Sequence, residues 1–306
     1  MKAIVAKAGG SFDNVVVEDI ANPVLKPDEI LVKVYAAGVN PVDWKAVLHG
    51  YFGYPLILGS DISGVIEAVG EEVKNYKAGD QIIGSLEWQK QSAFAEYVAT
   101  KEKYITRRPK NLSLQESAAI PLASLTAWQG LFDHAHIQAG EKIVVHAAAG
   151  GVGLFAVQFA KWKGAYVIGT ASEKNIDFLK SVGVDEVIDY TKYKLTEKVN
   201  NVDAVLDTVG TPEVQEESFK ALKPRARYVS ITAGPREELL KKYEISATRF
   251  LFHSDSQELK QIVQLIEEEK VKVFIDKAFP LTEARAALEY VHRGHTRGKI
   301  VLAPIP

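Results

Sequence analysis

No cysteine occurs in the 306 residues of this chain, which excludes disulfides, thiol nucleophiles and every zinc site with sulfur ligands. An excess of one charge is also missing. The 37 Lys and Arg stand against 39 Asp and Glu for a net −2, so nothing in the balance marks a nucleic-acid or anionic-membrane surface. No apolar run approaches the roughly 20 residues that span a bilayer. The N-terminal MKAIVAKAGG lacks the long apolar core of a signal peptide and reads as a first strand. The expectation is a cytoplasmic protein whose partner is a small molecule, with no nucleic acid and no membrane. Its length and its 47% apolar content suffice for two domains with cores of their own.

Up to about residue 115 the chain is a series of short strand patterns, among them KAIVAKA, NVVVEDI, EILVKVYAAGV, ISGVIEAVG and DQIIGS, broken by Gly, Pro, Asn and Asp. That spacing predicts an antiparallel, barrel-like unit. The character changes at NLSLQESAAIPL, where Ser113 and Glu116 have the spacing of a capping box. From there six apolar strand patterns, KIVVHA to TRFLFH, alternate with helical patterns at 152–163, 173–182 and 212–222. The alternation predicts a doubly wound parallel sheet covered on both faces. Two more helical patterns follow, and the final GKIVLAPIP reads as a strand that returns to the first unit. The expected domains are 1–117 with 255–306, and 118–254.

The apolar run ending at His146 leads into Ala148-Ala149-Gly150-Gly151-Val152-Gly153 and then an amphipathic helix. This is the G-x-G-x-x-G dinucleotide fingerprint of a Rossmann-type domain, with Ala148 in the first glycine position. A tight turn tolerates a small side chain there. Gly150 is expected to let the backbone approach a pyrophosphate and Gly153 to let the helix pack closely, with the helix N-terminus facing the phosphates. The second strand ends Thr170-Ala171, without the acidic residue that holds an unmodified ribose. Ser172, Lys174 and Tyr190 stand nearby instead, which favours the 2′-phosphate of NADP(H). Glu173 is the dissenting residue, able to serve a 2′-hydroxyl if turned inward.

The order of these parts, together with AAGVNPVDWKAVLHG (36–50), PLILGSDISGVIEAVG (55–70), GDQIIG (79–84), AAIPLASLTAWQGL (118–131) and HAAAGGVG, resembles the medium-chain dehydrogenase/reductase superfamily. GVNPVD, GSDISG and HAAAGGVG are similar to its zinc-independent quinone oxidoreductase branch. The resemblance implies a GroES-like substrate domain ahead of the cofactor domain. It also places Asn40 where zinc-dependent members have Cys, Ser60 where they have His, and Leu122 near a third ligand. No metal is expected. By the same resemblance Asn40, Asp43 and Thr126 belong to the nicotinamide side. Val209-Gly210, Ile231-Thr232, the backbone around Phe250 and Phe252, and Lys299 are expected along the cofactor.

Hydride addition to a simple ketone leaves a full charge on oxygen and calls for a Lewis acid or a strong proton donor. A quinone or an α,β-unsaturated carbonyl spreads that charge through conjugation. The expected activity is therefore NADPH-dependent reduction of quinones or enones without a metal. The alternative is an NADPH-binding sensor or regulatory protein with little turnover. Tyr51, Phe52 and Tyr54 would offer flat surfaces to an aromatic acceptor, or else form ordinary barrel-edge core. Asp43 has a second reading as a turn-capping carboxylate. SLEWQKQ (85–91) is expected to shape the pocket with residues 51–54. The apolar segment 245–253, at the expected sheet edge, predicts a homodimer.

Overall fold

A computed structural model describes residues 1–87 and 92–304; positions 88–91 of SLEWQKQ lie outside the described residues. The chain opens with β1 (Lys2–Ala6), β2 (Val15–Asp19) and β3 (Ile30–Val39), then helix α1 (Pro41–His49). Strands β4 (Leu56–Ile57), β5 (Asp61–Val69), β6 (Gln81–Ser85), β7 (Tyr97–Thr100) and β8 (Ile105–Arg107) follow. Helices α2 (Leu114–Ser117) and α3 (Pro121–Trp128) lead through a π-helical turn, Gln129–His134, into β9 (Lys142–Val145). After α4 (Gly151–Trp162) come β10 (Tyr166–Ala171), α5 (Ile176–Ser181), β11 (Glu186–Asp189), β12 (Val202–Asp207), α6 (Pro212–Ala221), β13 (Leu222–Ser230), α7 (Glu237–Tyr243) and β14 (Ser246–Arg249). The chain closes with α8 (Ser256–Glu267), β15 (Ile275–Phe279), α9 (Ala284–His292) and β16 (Lys299–Leu302).

Two compact units result. The first holds a three-stranded sheet, β2-β1-β4, and a larger sheet ordered β15-β16-β3-β5-β6-β8, with β7 also on β3. Val32, Val34, Ile62, Ile66, Ile82 and Leu302 fill its core. The terminal strand does return: β16 runs antiparallel to β3, with Ile300 opposite Val39 and Val301 opposite Gly38. Gly38 is required at that point, because a Cβ there would lie 2.4 Å from the Ala118 carbonyl oxygen and 3.0 Å from Asp61 Cβ.

The second unit is the parallel sheet β11-β10-β9-β12-β13-β14, a doubly wound sheet of six strands as the alternation predicts. The strand order reverses between β9 and β12, and in such sheets a ligand lies beyond the C-terminal strand ends at that point. Its edge strands are β11 and β14, the latter in the segment where an edge was expected.

The division falls at 125/126 and 252/253 rather than at the expected 117/118 and 254/255. Packing explains the first shift. Ala118 and Ala119 are buried with Ala36 and Val301, and Leu122 N–H donates to Asp61, so the start of α3 is held by the first unit. Residues 270–272 belong instead to the second unit. There Gln158 grips the Lys272 peptide from both sides, donating to its carbonyl (3.0 Å) and accepting from its N–H (2.7 Å). The Ser113–Glu116 capping box forms as read, each residue's side chain accepting the other's backbone N–H.

Candidate active site

The glycine loop opens α4, and its glycines serve different ends. A Cβ on Gly153 would stand 2.3 Å from the Ala147 carbonyl oxygen, so the first turn of the helix sits directly on the loop. On Gly150 the tightest contact is a milder 3.2 Å. Ala148 is fully buried, and its methyl lies 2.8 Å from where a Cβ on Gly169 would be. Gly169 on β10 thus makes room for the alanine in the first fingerprint position. Gly150 caps α4 and has no side chain of its own to accept the N–H groups of the first turn. That leaves donors and the positive end of the helix for an anion.

Beneath the loop lies a buried polar layer that the sequence did not reveal. His146 Nδ1 is 3.1 Å from Thr170 Oγ1, and Nε2 is 2.8 Å from Ser218 Oγ. Ser218 donates to the Val214 carbonyl, so Nε2 carries the ring proton and Nδ1 accepts. Burial holds the His146 pKa below its ordinary value, against the opposing charge of Asp207. Asp207 accepts from Tyr228 and from the N–H groups of Val209 (2.8 Å) and Gly210 (3.0 Å), which shapes the turn after β12. Gly210, at φ +79°, has no room for a side chain against Thr232. Thr232 in turn accepts from Arg249 through its carbonyl. Ile231 and Thr232 follow the end of β13, and Phe250 follows the end of β14. Phe250 is buried against the His134 ring at 4.3 Å, and its N–H bonds Ser230.

At the tip of β10, Ser172 is half-buried and Lys174 exposed. Tyr190 is 52% exposed just past β11. Lys192, which sequence reasoning passed over, pairs with Glu173 at 2.8 Å and lies 3.8 Å from Asp189. Glu173 is thereby engaged by a cation.

In the first unit, Asn40, Asp43, Asp61 and Lys299 meet at one corner, all at most 5% exposed. Strand pairing assembles it: Asp61 lies opposite Gly38 on one side of β3, while β16 brings Lys299 to the other. Lys299 Nζ donates to the Val39 carbonyl (3.0 Å) and to Asn40 Oδ1, and stands 3.7 Å from Asp61 Oδ2. Asn40 Nδ2 donates to Asp61 Oδ2 at 2.8 Å. Asp43 Oδ2 accepts the Asn40 N–H at 2.7 Å, the contact of a helix-capping carboxylate. Burial above all, with the Asp61 charge adding, lifts the Asp43 pKa to about 7 against the pull of that N–H. Burial likewise raises Asp61 and lowers Lys299, each opposed by the partner's charge.

Lys299, expected along the cofactor, has its ammonium engaged within its own unit by Val39, Asn40 and Asp61. Tyr54 takes the second of its two readings, barrel-edge core: its ring packs on the barrel core, and its hydroxyl lies 2.8 and 3.0 Å from the Ala46 and Val47 carbonyls that end α1. Tyr51 is 61% exposed, its ring 5.8 Å from that of His49, and Phe52 is half-buried. Thr126, on α3 in the second unit, is buried.

The corner does not fit a catalytic zinc. Asn40 turns its oxygen to an ammonium, Ser60 offers a neutral hydroxyl, and Leu122 has no donor side chain. Elsewhere, ligand atoms of His253, Asp255 and Glu258 lie within 4.8 Å of one another. Asp255 there caps α8, accepting from the Gln257 and Glu258 N–H groups.

Comparison with known proteins agrees with this architecture. Residues 26–110 match the alcohol dehydrogenase GroES-like domain, and 182–302 match the family described as zinc-binding dehydrogenase. The chain is 36% identical over 312 residues to a 2-methylene-furan-3-one reductase of Solanum lycopersicum, covering 97% of this chain and 77% of that protein. It is 34% identical over 322 residues to the chloroplastic NADPH-dependent alkenal/one oxidoreductase of Arabidopsis thaliana, covering 100% of this chain and 80% of the relative. The structure of the quinone oxidoreductase from Coxiella burnetii superposes with a TM-score of 0.93 at 34% identity, over 99% of each chain. The Escherichia coli quinone oxidoreductase complexed with NADPH does so with 0.90 at 26%, over 99% of this chain and 100% of that one. The chain belongs to the medium-chain dehydrogenase/reductase superfamily, in its quinone oxidoreductase branch. It is an oxidoreductase with a nicotinamide-binding Rossmann-type domain.

Proposed function

We propose that this protein reduces quinones or α,β-unsaturated carbonyl compounds with NADPH and without a metal. The observation that carries the reading is the cation at the corner of the first unit: Asn40, in the position of a metal ligand in zinc-dependent relatives, is bound to the Lys299 ammonium. Acceptors that delocalise charge need no Lewis acid, and the relatives named for quinone and alkenal/one reduction support that substrate class. NADPH, when bound, supplies the hydride. The chain's own residues bind and orient: the first turn of α4 takes the pyrophosphate, and Ser172, Lys174, Tyr190 and Lys192 take the 2′-phosphate. Val209, Gly210, Ile231, Thr232 and the Phe250–Phe252 backbone follow the cofactor along the strand ends, Thr126 lies on its nicotinamide side, and Tyr51 and Phe52 flank the acceptor. Rate enhancement then comes chiefly from holding ring and acceptor in contact. Edge strand β14 supports a homodimer formed by the second unit.

The test is NADPH oxidation with a panel of quinones and enals, before and after exhaustive dialysis against a chelator. Unchanged turnover after dialysis is expected. Loss of activity that zinc restores would overturn the metal-free reading. Tight NADPH binding with no turnover on any acceptor would favour a sensor.

A further inference from the structure

We propose that Lys299 is a positioning residue: its ammonium is a built-in cation that locks the Asn40 carboxamide against Asp61 and so fixes the turn from β3 into α1. The inference rests on the reading above that this corner serves the reaction.

Three observations carry it. The first is the direction of the Asn40 amide. Its oxygen meets an ammonium and its nitrogen a carboxylate, so a flipped amide would set NH2 against Lys299 and oxygen against Asp61. One orientation survives, and both neighbours impose it. The second is that the same ammonium also donates to the Val39 carbonyl, gripping the backbone and the side chain on either side of one peptide bond. The third is burial. Asp43 and Asp61 are fully buried and Lys299 is 5% exposed, all around a strand junction that apolar residues could fill. Buried ion pairs seldom stabilise more than an apolar replacement, and their attested use is to specify one arrangement. The arrangement specified here is that of Asn40. A metal at this place would have to displace a cation already bound by the oxygen that would ligate it.

The experiment separates positioning from folding. Lys299→Met alone leaves Asp61 buried and unpaired, so it is paired with the double variant Lys299→Met/Asp61→Asn, in which no charge of the pair remains. The double variant is expected to fold and to bind NADPH within about threefold of wild type, while kcat for a good quinone falls about 30-fold or more, as misplacement near the reacting groups does. In Lys299→Ala, millimolar ethylammonium should restore kcat at least about fivefold, whereas tetramethylammonium, which has no N–H to donate, should not. The Asn40 side-chain amide signals, read by 15N labelling, should move in Lys299→Met and return in Lys299→Ala with ethylammonium. A double variant with kcat within about threefold of wild type overturns the proposal, as do unchanged Asn40 signals or equal rescue by both amines. If wild type turns over no acceptor, the functional reading fails, and the Asn40 signals alone decide this inference.

Discussion

The two polar centres of this protein are built in opposite ways. Under and around the glycine loop, binding capacity comes from backbone: the N–H groups at the glycine-capped start of α4 and turns shaped by Asp207, with small residues keeping the approach open. At the corner of the first unit, side chains bind one another. Asn40, Asp61 and Lys299 satisfy each other's strongest donors and acceptors, and their places are set by strand pairing. The first arrangement presents backbone donors; the second holds its own cation.

Breaking one partner of the corner should give the largest effect. Asp61→Ala leaves the Lys299 ammonium buried without its counter-charge, and stability to urea should fall by about 3–5 kcal/mol. A loss under about 1 kcal/mol would mean the ammonium reaches water or another acceptor. In the glycine loop the damage should be steric. Gly153→Val forces branched carbons toward the Ala147 carbonyl oxygen, for about 1–3 kcal/mol in thermal unfolding and a marked loss of NADPH affinity by calorimetry.

The contrast sharpens with milder changes. Lys174→Ala and Lys192→Ala should each weaken NADPH about tenfold, near 1.4 kcal/mol, and leave NADH almost unchanged. Equal losses for both cofactors in a fluorescence titration would remove the 2′-phosphate assignment. Tyr54→Phe is expected to have the smallest effect. It deletes one hydroxyl at the end of α1, worth about 1 kcal/mol in melting experiments, while quinone turnover stays close to wild type.

What could be read from the sequence follows the same divide. Gly150 to Gly153, the six alternating strands and the returning GKIVL were legible because local geometry imposes them: a loop under a helix needs glycine at fixed spacing, and a buried strand needs an apolar run. The corner was legible only in part. Asn40 and Asp43 stand out within one short motif, but Lys299 is 259 residues from Asn40, and only the β3–β16 pairing shows that its charge is turned inward. Lys192 escaped notice because its relevance depends on β11 lying beside β10, which brings it to Glu173. Tyr54 stayed open between two readings for another reason: an aromatic in a Gly- and Pro-rich loop looks available, and only its hydroxyl on the Ala46 carbonyl shows it bound to the end of α1.

Ala148 and Gly169 occupy a single space, with room for one methyl group between them. Their histories are therefore joined. A lineage that acquires glycine at 148 frees 169 to become alanine, while one that enlarges 169 first must pass through a crowded intermediate. Among descendants of this chain the two positions should change in that order, and the exchanged pair Ala148→Gly/Gly169→Ala should be far better tolerated than Gly169→Ala alone.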